Sequence, residues 1–190
     1  MGVAETEELR VEREGGVLRL TIAREERRNA MSAAVVAGLT RELTQANADR
    51  SLRAIVLSGA GDKAFCAGAD LATGGAFKFD YAEPQQGFAN LLRAAHAVHV
   101  PLIARVNGAC MAGGMGLLAM CDLAVAAIHA RFGLPEVKVG VFPAQVLTVL
   151  QGLIGRRALA ELCITGESVD AQQALAMGLV NEVSDELDVA

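Results

Sequence analysis

Two glycine-rich segments are the places where this sequence offers its main chain to a ligand. They are Lys63-Ala64-Phe65-Cys66-Ala67-Gly68-Ala69-Asp70 and Asn107-Gly108-Ala109-Cys110-Met111-Ala112-Gly113-Gly114-Met115-Gly116, and each follows an apolar run. Small residues there let a ligand approach the backbone, because no Cβ holds it away. A loop that opens a helix also turns free N–H groups outward, where the helix dipole favours negative charge. Two such loops converging would form an oxyanion hole. Either loop alone reads better as a tight turn or a close helix contact.

The other reactive residues point to less. His96 and His99 are three apart on an expected helix, but no third metal ligand accompanies them, and a solvated or capping role fits better. Cys66, Cys110, Cys121 and Cys163 form no CxxC pair and sit among apolar neighbours, as small buried hydrophobes do. Ala112-Gly113-Gly114-Met115-Gly116 is not GxGxxG, and Asp122 follows too soon to reach a ribose. No GxSxG supports a serine hydrolase.

The elements that must position these segments can be read from periodicity. Val17–Ile22 alternates apolar and polar residues, as a half-buried strand does, and residues 9–14 pair with it through the Gly15-Gly16 turn. Ser32 offers an N-cap to a helix running to about Ala48, with Val35, Val36, Leu39 and Leu43 at helical spacing. Residues 54–58, 102–106 and 123–127 read as strands, and 88–98 and 113–120 as helices. Residues 71–87 lack periodicity and read as a loop, and helical patterns dominate beyond Pro143. This alternation predicts an α/β fold with parallel strands in one domain over residues 1–190. Periodicity alone leaves a doubly wound sheet and a spiral of strand-strand-helix turns both open.

The segments AFCAGADL, PLIARVNGACMAGGMGLLAMCDLAVA and RFGLPEVKVGVFP, in that order, resemble the enoyl-CoA hydratase/isomerase (crotonase) family. NAMS at Asn29–Ser32 and the closing LCITGESVDAQQALAMGLVNEV agree with it, so the resemblance runs from about residue 9 to residue 183. It implies a spiral of repeated β-β-α units and an acyl-CoA thioester as substrate, with coenzyme A part of that substrate and no separate cofactor or metal. Its two oxyanion-hole amides match Ala69 and Gly113, with Ala112 where the family usually has a third glycine. Ala67, Gly68, Asp70, Gly114, Gly116 and Phe142 fall at substrate-binding positions, and Arg24 and Arg28 lie where the family approaches CoA. Asp70 also reads as a turn or helix cap, and Asp122 as a structural cap.

The resemblance implies two carboxylates, of which one is present as Glu136. The other would stand three residues after Gly113, where this chain has Gly116. Hydration of a 2-enoyl thioester divides its proton work between two groups. Moving a double bond between positions 3 and 2 needs only one carboxylate, which takes a proton from C2 and returns it at C4. The expected activity is therefore isomerisation by Glu136. Its apolar neighbours Phe132, Leu134, Val141 and Phe142 should raise its pKa by burial. The alternatives are a hydratase with a substitute acid from Asp80, Tyr81 or Glu83, or a crotonase-like protein that binds acyl-CoA without turnover.

Composition bounds the rest. A net charge of −5 with scattered basic residues disfavours nucleic acid. Mean hydropathy is +0.36, yet every apolar run breaks well before the ~18 residues of a membrane span. With an acidic, polar amino terminus and unpaired cysteines, the expectation is a soluble cytoplasmic protein. Family members continue into further helices, so the helical C-terminal part is expected to be incomplete in residues 1–190. The Ala- and Leu-rich stretch from Gln145 to Met177 should expose apolar surface, and the resemblance implies a homotrimer or hexamer.

Overall fold

The computed structural model describes residues 8–70, 86–185 and 187. A six-stranded sheet holds β1 (Leu9–Glu14), β2 (Val17–Ile22), β3 (Ala54–Gly59), β5 (Leu102–Val106), β7 (Leu123–Ala127) and β10 (Glu182–Ser184), in that spatial order. Only the hairpin β1–β2 is antiparallel within it, with Leu9 opposite Ile22 and Glu14 opposite Val17. A second sheet orders β4 (Ala64–Cys66), β6 (Ala109–Met111), β8 (Arg131–Gly133) and β9 (Val169–Asp170). There β4, β6 and β8 run parallel, and β9 closes the edge antiparallel.

The chain therefore winds in repeats. A long strand enters the first sheet, a short one enters the second, and a helix returns. The helices after β2, β4 and β6 are α1 (Ala33–Ala48), α2 (Gly87–His96) and α3 (Gly113–Ala119). α4 (Ala144–Leu150), α5 (Arg156–Thr165) and α6 (Ala171–Ala176) follow β8, with β9 between α5 and α6. This is a mixed α/β spiral of β-β-α units, and it resolves the choice that periodicity left open.

Local chemistry explains the main boundaries. The Ser32 side chain accepts from Val35 N–H at 3.1 Å, so α1 starts where the N-cap satisfies an orphan donor. Asp170 and Gln173 form a reciprocal capping box at α6. The Asp122 carboxylate accepts from Leu102 N–H at 2.8 Å and so ties the start of β5 to the turn that leads from α3 into β7. Two buried asparagines hold the turn between β3 and β4. Asn29 Nδ2 donates to the Ala60 and Ala64 carbonyls, and Asn107 Nδ2 donates to those of Gly61 and Ala64.

Leu20, Ile22, Leu39, Leu43, Ile55, Leu57 and Phe65 are almost wholly buried between α1 and the sheets. Such side chains contribute about 1.5–3 kcal/mol each on burial. The expected segment at 71–87 lies almost wholly outside the described residues, together with Asp80, Tyr81 and Glu83. Among the described residues, no helix is long and apolar enough to cross a membrane.

Candidate active site

A cleft of about 1160 Å³ opens between α1, the 67–70 segment, the start of α3 and the chain from Pro135 to Val146. Its backbone walls are the two glycine-rich segments. Met31 bridges to this strand end in parallel register with Ala69. Met31 N–H donates to the Gly68 carbonyl at 2.7 Å, and Asp70 N–H donates to the Met31 carbonyl at 2.9 Å. In a parallel bridge of that kind the middle residue's own N–H points away from its neighbour. Ala69 N–H therefore faces the other side, toward Gly113.

The second amide is placed by an unusual backbone at Ala112, with φ 52° and ψ −121°. That ψ sets the plane of the peptide joining Ala112 to Gly113, the first residue of α3, whose N–H has no intrahelical acceptor. A Cβ built on Gly113 would stand 3.7 Å from the Ala69 nitrogen and 2.6 Å from Met31 Cε. The two amides are thus near neighbours, and a side chain at 113 would crowd the space between them. Neither amide donates to a backbone acceptor among the described residues. Paired unspent N–H donors on a cleft wall suit an oxygen that gains negative charge.

Close packing behind this wall requires glycine twice. Gly68 has φ +100°, and a Cβ there would lie 2.9 Å from Ala112 Cβ. A Cβ on Gly114 would lie 2.2 Å from the Cys66 carbonyl oxygen, so that residue packs on β4 and stays off the cleft surface. Cys66 Sγ accepts from Gly68 N–H at 3.4 Å, which further fixes the turn.

Glu136 follows Pro135 in a 3-10 turn, Pro135–Val139, and lines the same cleft. It is buried, and its Oε2 has no hydrogen-bond partner among the described residues. Burial in these surroundings raises its pKa above the usual glutamate value, against a smaller opposing effect from its own backbone N–H. Cys163 on α5 feels the Glu136 charge, which adds to burial in raising the thiol's own pKa. Asp70 is the other carboxylate on the described cleft wall, and it is ion-paired with Arg24 at 2.7 Å.

Gly116 is buried on α3, behind the cleft wall. A Cβ there would meet Phe88 Cζ at 2.7 Å, Phe88 Cε1 at 3.2 Å and Val146 Cγ2 at 3.4 Å. The Phe88 ring thus occupies the room a side chain at 116 would need. Phe88 was not among the residues singled out from sequence. Its signal is visible only once α2 is seen to lie against α3.

The remaining sequence-derived candidates divide by location. Ala67, Ala69, Asp70, Gly113, Glu136 and Phe142 line the cleft, although Phe142 is 66% exposed at its rim. Gly68, Gly114 and Gly116 lie behind it. Arg28 is exposed in a left-handed turn, and its carbonyl accepts from Ala67 N–H. Arg24 is buried, with its guanidinium turned into the protein. His99 contacts Asn47, and no group of three potential metal ligands occurs among the described residues.

Comparison with known proteins bears on the same features. A sequence model of the family described as enoyl-CoA hydratase/isomerase matches residues 12–190. The chain is 38% identical over 181 residues to the 2,3-dehydroadipyl-CoA hydratase of Escherichia coli, covering 93% of this chain and 69% of that protein. It is 41% identical over 149 residues to the mevalonyl-coenzyme A hydratase SIDH of Beauveria bassiana, covering 72% of this chain and 52% of that one. It spans 64% of the length of a Thermus thermophilus relative at 40% identity. The crystal structure of enoyl-CoA hydratase from Mycobacterium smegmatis superposes with a TM-score of 0.83 at 38% identity, over 93% of this chain and 69% of that one. Pseudomonas aeruginosa AtuE gives 0.87 at 39% identity, over 94% and 70%. With the family match running almost from end to end and these structures sharing its spiral, the chain belongs to the enoyl-CoA hydratase/isomerase family.

Proposed function

We propose that this chain binds an acyl-CoA thioester in the cleft and stabilises its enolate, with Glu136 moving a proton to shift a 3-enoyl double bond to position 2. The observation that carries this reading is the inequality of the two cleft carboxylates. Asp70 is held by Arg24, whereas Glu136 keeps a buried oxygen with no partner among the described residues and a raised pKa.

In the proposed reaction the thioester oxygen lies against Ala69 N–H and Gly113 N–H. Glu136 removes a C2 proton, and the electron pair delocalises over the double bond and the carbonyl. The two amides bind the resulting dienolate oxygen more tightly than the neutral carbonyl, which lowers the barrier. The protonated Glu136 then delivers the proton to C4, leaving the conjugated 2-enoyl thioester. Its raised pKa narrows the gap between carboxylate and carbon acid and so favours transfer in both directions. No external acid is needed, which accords with the apolar Phe88 ring filling the space beside Gly116.

Hydration is the second reading, supported by relatives that are themselves named hydratases. It requires a second acid, and the other carboxylate on the described cleft wall, Asp70, is held by Arg24. Association through exposed apolar side chains is also proposed, because Val139, Phe142 and Ile164 are 66%, 66% and 74% exposed. Ultraviolet absorbance of the conjugated thioester tests the reaction. Growth of that signal from a 3-enoyl-CoA supports isomerisation, and loss of it from a 2-enoyl-CoA supports hydration. No change with either substrate, while CoA thioester binding persists, would leave a binding protein.

A further inference from the structure

Arg24 makes three separate commitments. Nη2 donates to Asp70 Oδ2 at 2.7 Å, Nη1 donates to the Ala30 carbonyl at 2.6 Å, and Nε faces Glu8 Oε1 at 3.0 Å. Its side chain is only 10% exposed. Desolvation would lower its pKa, but the Asp70 and Glu8 carboxylates outweigh that and raise it. A cation enclosed in this way has no open face for a phosphate. Its partners also share one property, since each flanks a residue of the site. Asp70 adjoins Ala69, and Ala30 adjoins Met31, whose backbone bridges Ala69. Glu8 contacts the Ser32 hydroxyl that caps α1, a wall of the cleft.

We propose that Arg24 is a positioning residue for the oxyanion site: through Asp70 and the Ala30 carbonyl it clamps the strand end so that Ala69 N–H stays aimed into the cleft. Met31 holds this strand end by backbone bonds, and Arg24 adds a side-chain fork that ties the Ala30 carbonyl of the Met31 segment to Asp70. A planar guanidinium suits the task because its N–H groups diverge in fixed directions toward several acceptors at once. A lysine there could satisfy one partner well but not all three. This inference rests on the oxyanion reading of Ala69 and Gly113.

The test uses a dimethylaminocinnamoyl-CoA thioester, whose absorbance shifts to the red when donors polarise its carbonyl. Wild-type protein should show that shift, and its absence would sink the oxyanion reading itself, whatever Arg24 does. Given the shift, Arg24→Met should lose most of it and lower kcat by roughly ten- to a hundredfold, short of the ~10²–10³-fold cost of losing a donor outright. Affinity for free CoA should change less than about threefold, since the enclosed guanidinium offers no open face to a phosphate. Arg24→Lys should restore part of the red shift, and it carries the same test if the Met variant does not fold. Arg24→Met combined with Asp70→Asn should cost no more than the larger single change, because both break one clamp. An unaltered red shift in a folded Arg24 variant would overturn the proposal. If CoA affinity fell tenfold alongside, Arg24 would be a phosphate ligand instead.

Discussion

Replacing Glu136 with glutamine should move activity and stability in opposite directions. The wild-type carboxylate is buried, with no partner for Oε2 among the described residues, so its charged form is destabilised in the folded state. An unsatisfied buried acceptor costs about 1–3 kcal/mol, more when charged. The amide keeps the shape and removes the charge, although its own N–H groups need partners, so the lower part of that range applies. For a domain of this size, about 2–4 °C of melting temperature accompanies each kcal/mol. Glu136→Gln should therefore melt several degrees higher at about pH 8. The sign with pH follows from the raised pKa. Below about pH 4.5 the carboxyl is protonated in both folded and unfolded chains, and the two proteins should melt alike. The advantage of glutamine grows as pH rises from there through the folded-state pKa, and is then constant. Turnover should fall by about 10²–10⁴-fold, the usual worth of a positioned general base. Calorimetric melts across this pH range and the absorbance assay check both halves. A variant less stable than wild type at about pH 8, or a difference insensitive to pH, would refute the claim of an uncompensated buried carboxylate.

Three further outcomes follow from the packing around the glycine-rich cleft wall. Gly116→Glu should destabilise by about 1–3 kcal/mol, because its Cβ meets the Phe88 ring at 2.7 Å, whereas Gly116→Glu with Phe88→Ala should recover stability and gain hydration of a 2-enoyl-CoA; denaturant titration and the absorbance assay read the two effects. Ala112→Gly should stabilise on the order of 1 kcal/mol, since relief of the strained φ of 52° exceeds the added flexibility of the unfolded chain, as a shift in denaturant midpoint would show. Gly68→Ala should destabilise by about 2 kcal/mol or more, because φ +100° and a 2.9 Å contact with Ala112 Cβ both oppose a side chain, and bound-thioester polarisation should weaken with it.

The long elements of this fold were legible for clear physical reasons. β2 alternates because one face is buried, β3 is an apolar run because both faces are, and α1 begins where Ser32 can cap it. The second sheet was hidden. Its strands β4, β6 and β8 have three residues each, too few for any period, and two of them lie inside the glycine-rich segments. The expected helices were close to their final limits, but β10 could not be read, since three residues become a strand only by pairing with β7.

The site shows the same division. Ala69, Gly113 and Glu136 were marked by motif and share one cleft. The strain at Ala112 was not legible, because alanine carries no sign of a positive φ. The absence of a carboxylate at 116 was plain, yet its packing partner Phe88 comes from another helix. Arg24 looked like its neighbours Arg27 and Arg28 in sequence. Only the fold distinguishes it, burying it against Asp70 and Glu8 while the other two stay exposed.

Proton exchange at the substrate's carbon offers the most direct test of an enolate formed by Glu136. A 3-enoyl-CoA would be incubated with the protein in deuterated water and followed by NMR at C2 and C4. Conjugated product is expected, with C4 carrying the hydrogen moved from C2, or a deuterium where protonated Glu136 exchanges with solvent first, and Glu136→Gln should nearly abolish it. Neither product nor exchange in wild type with the thioester bound, or product formation undiminished in the glutamine variant, would contradict it.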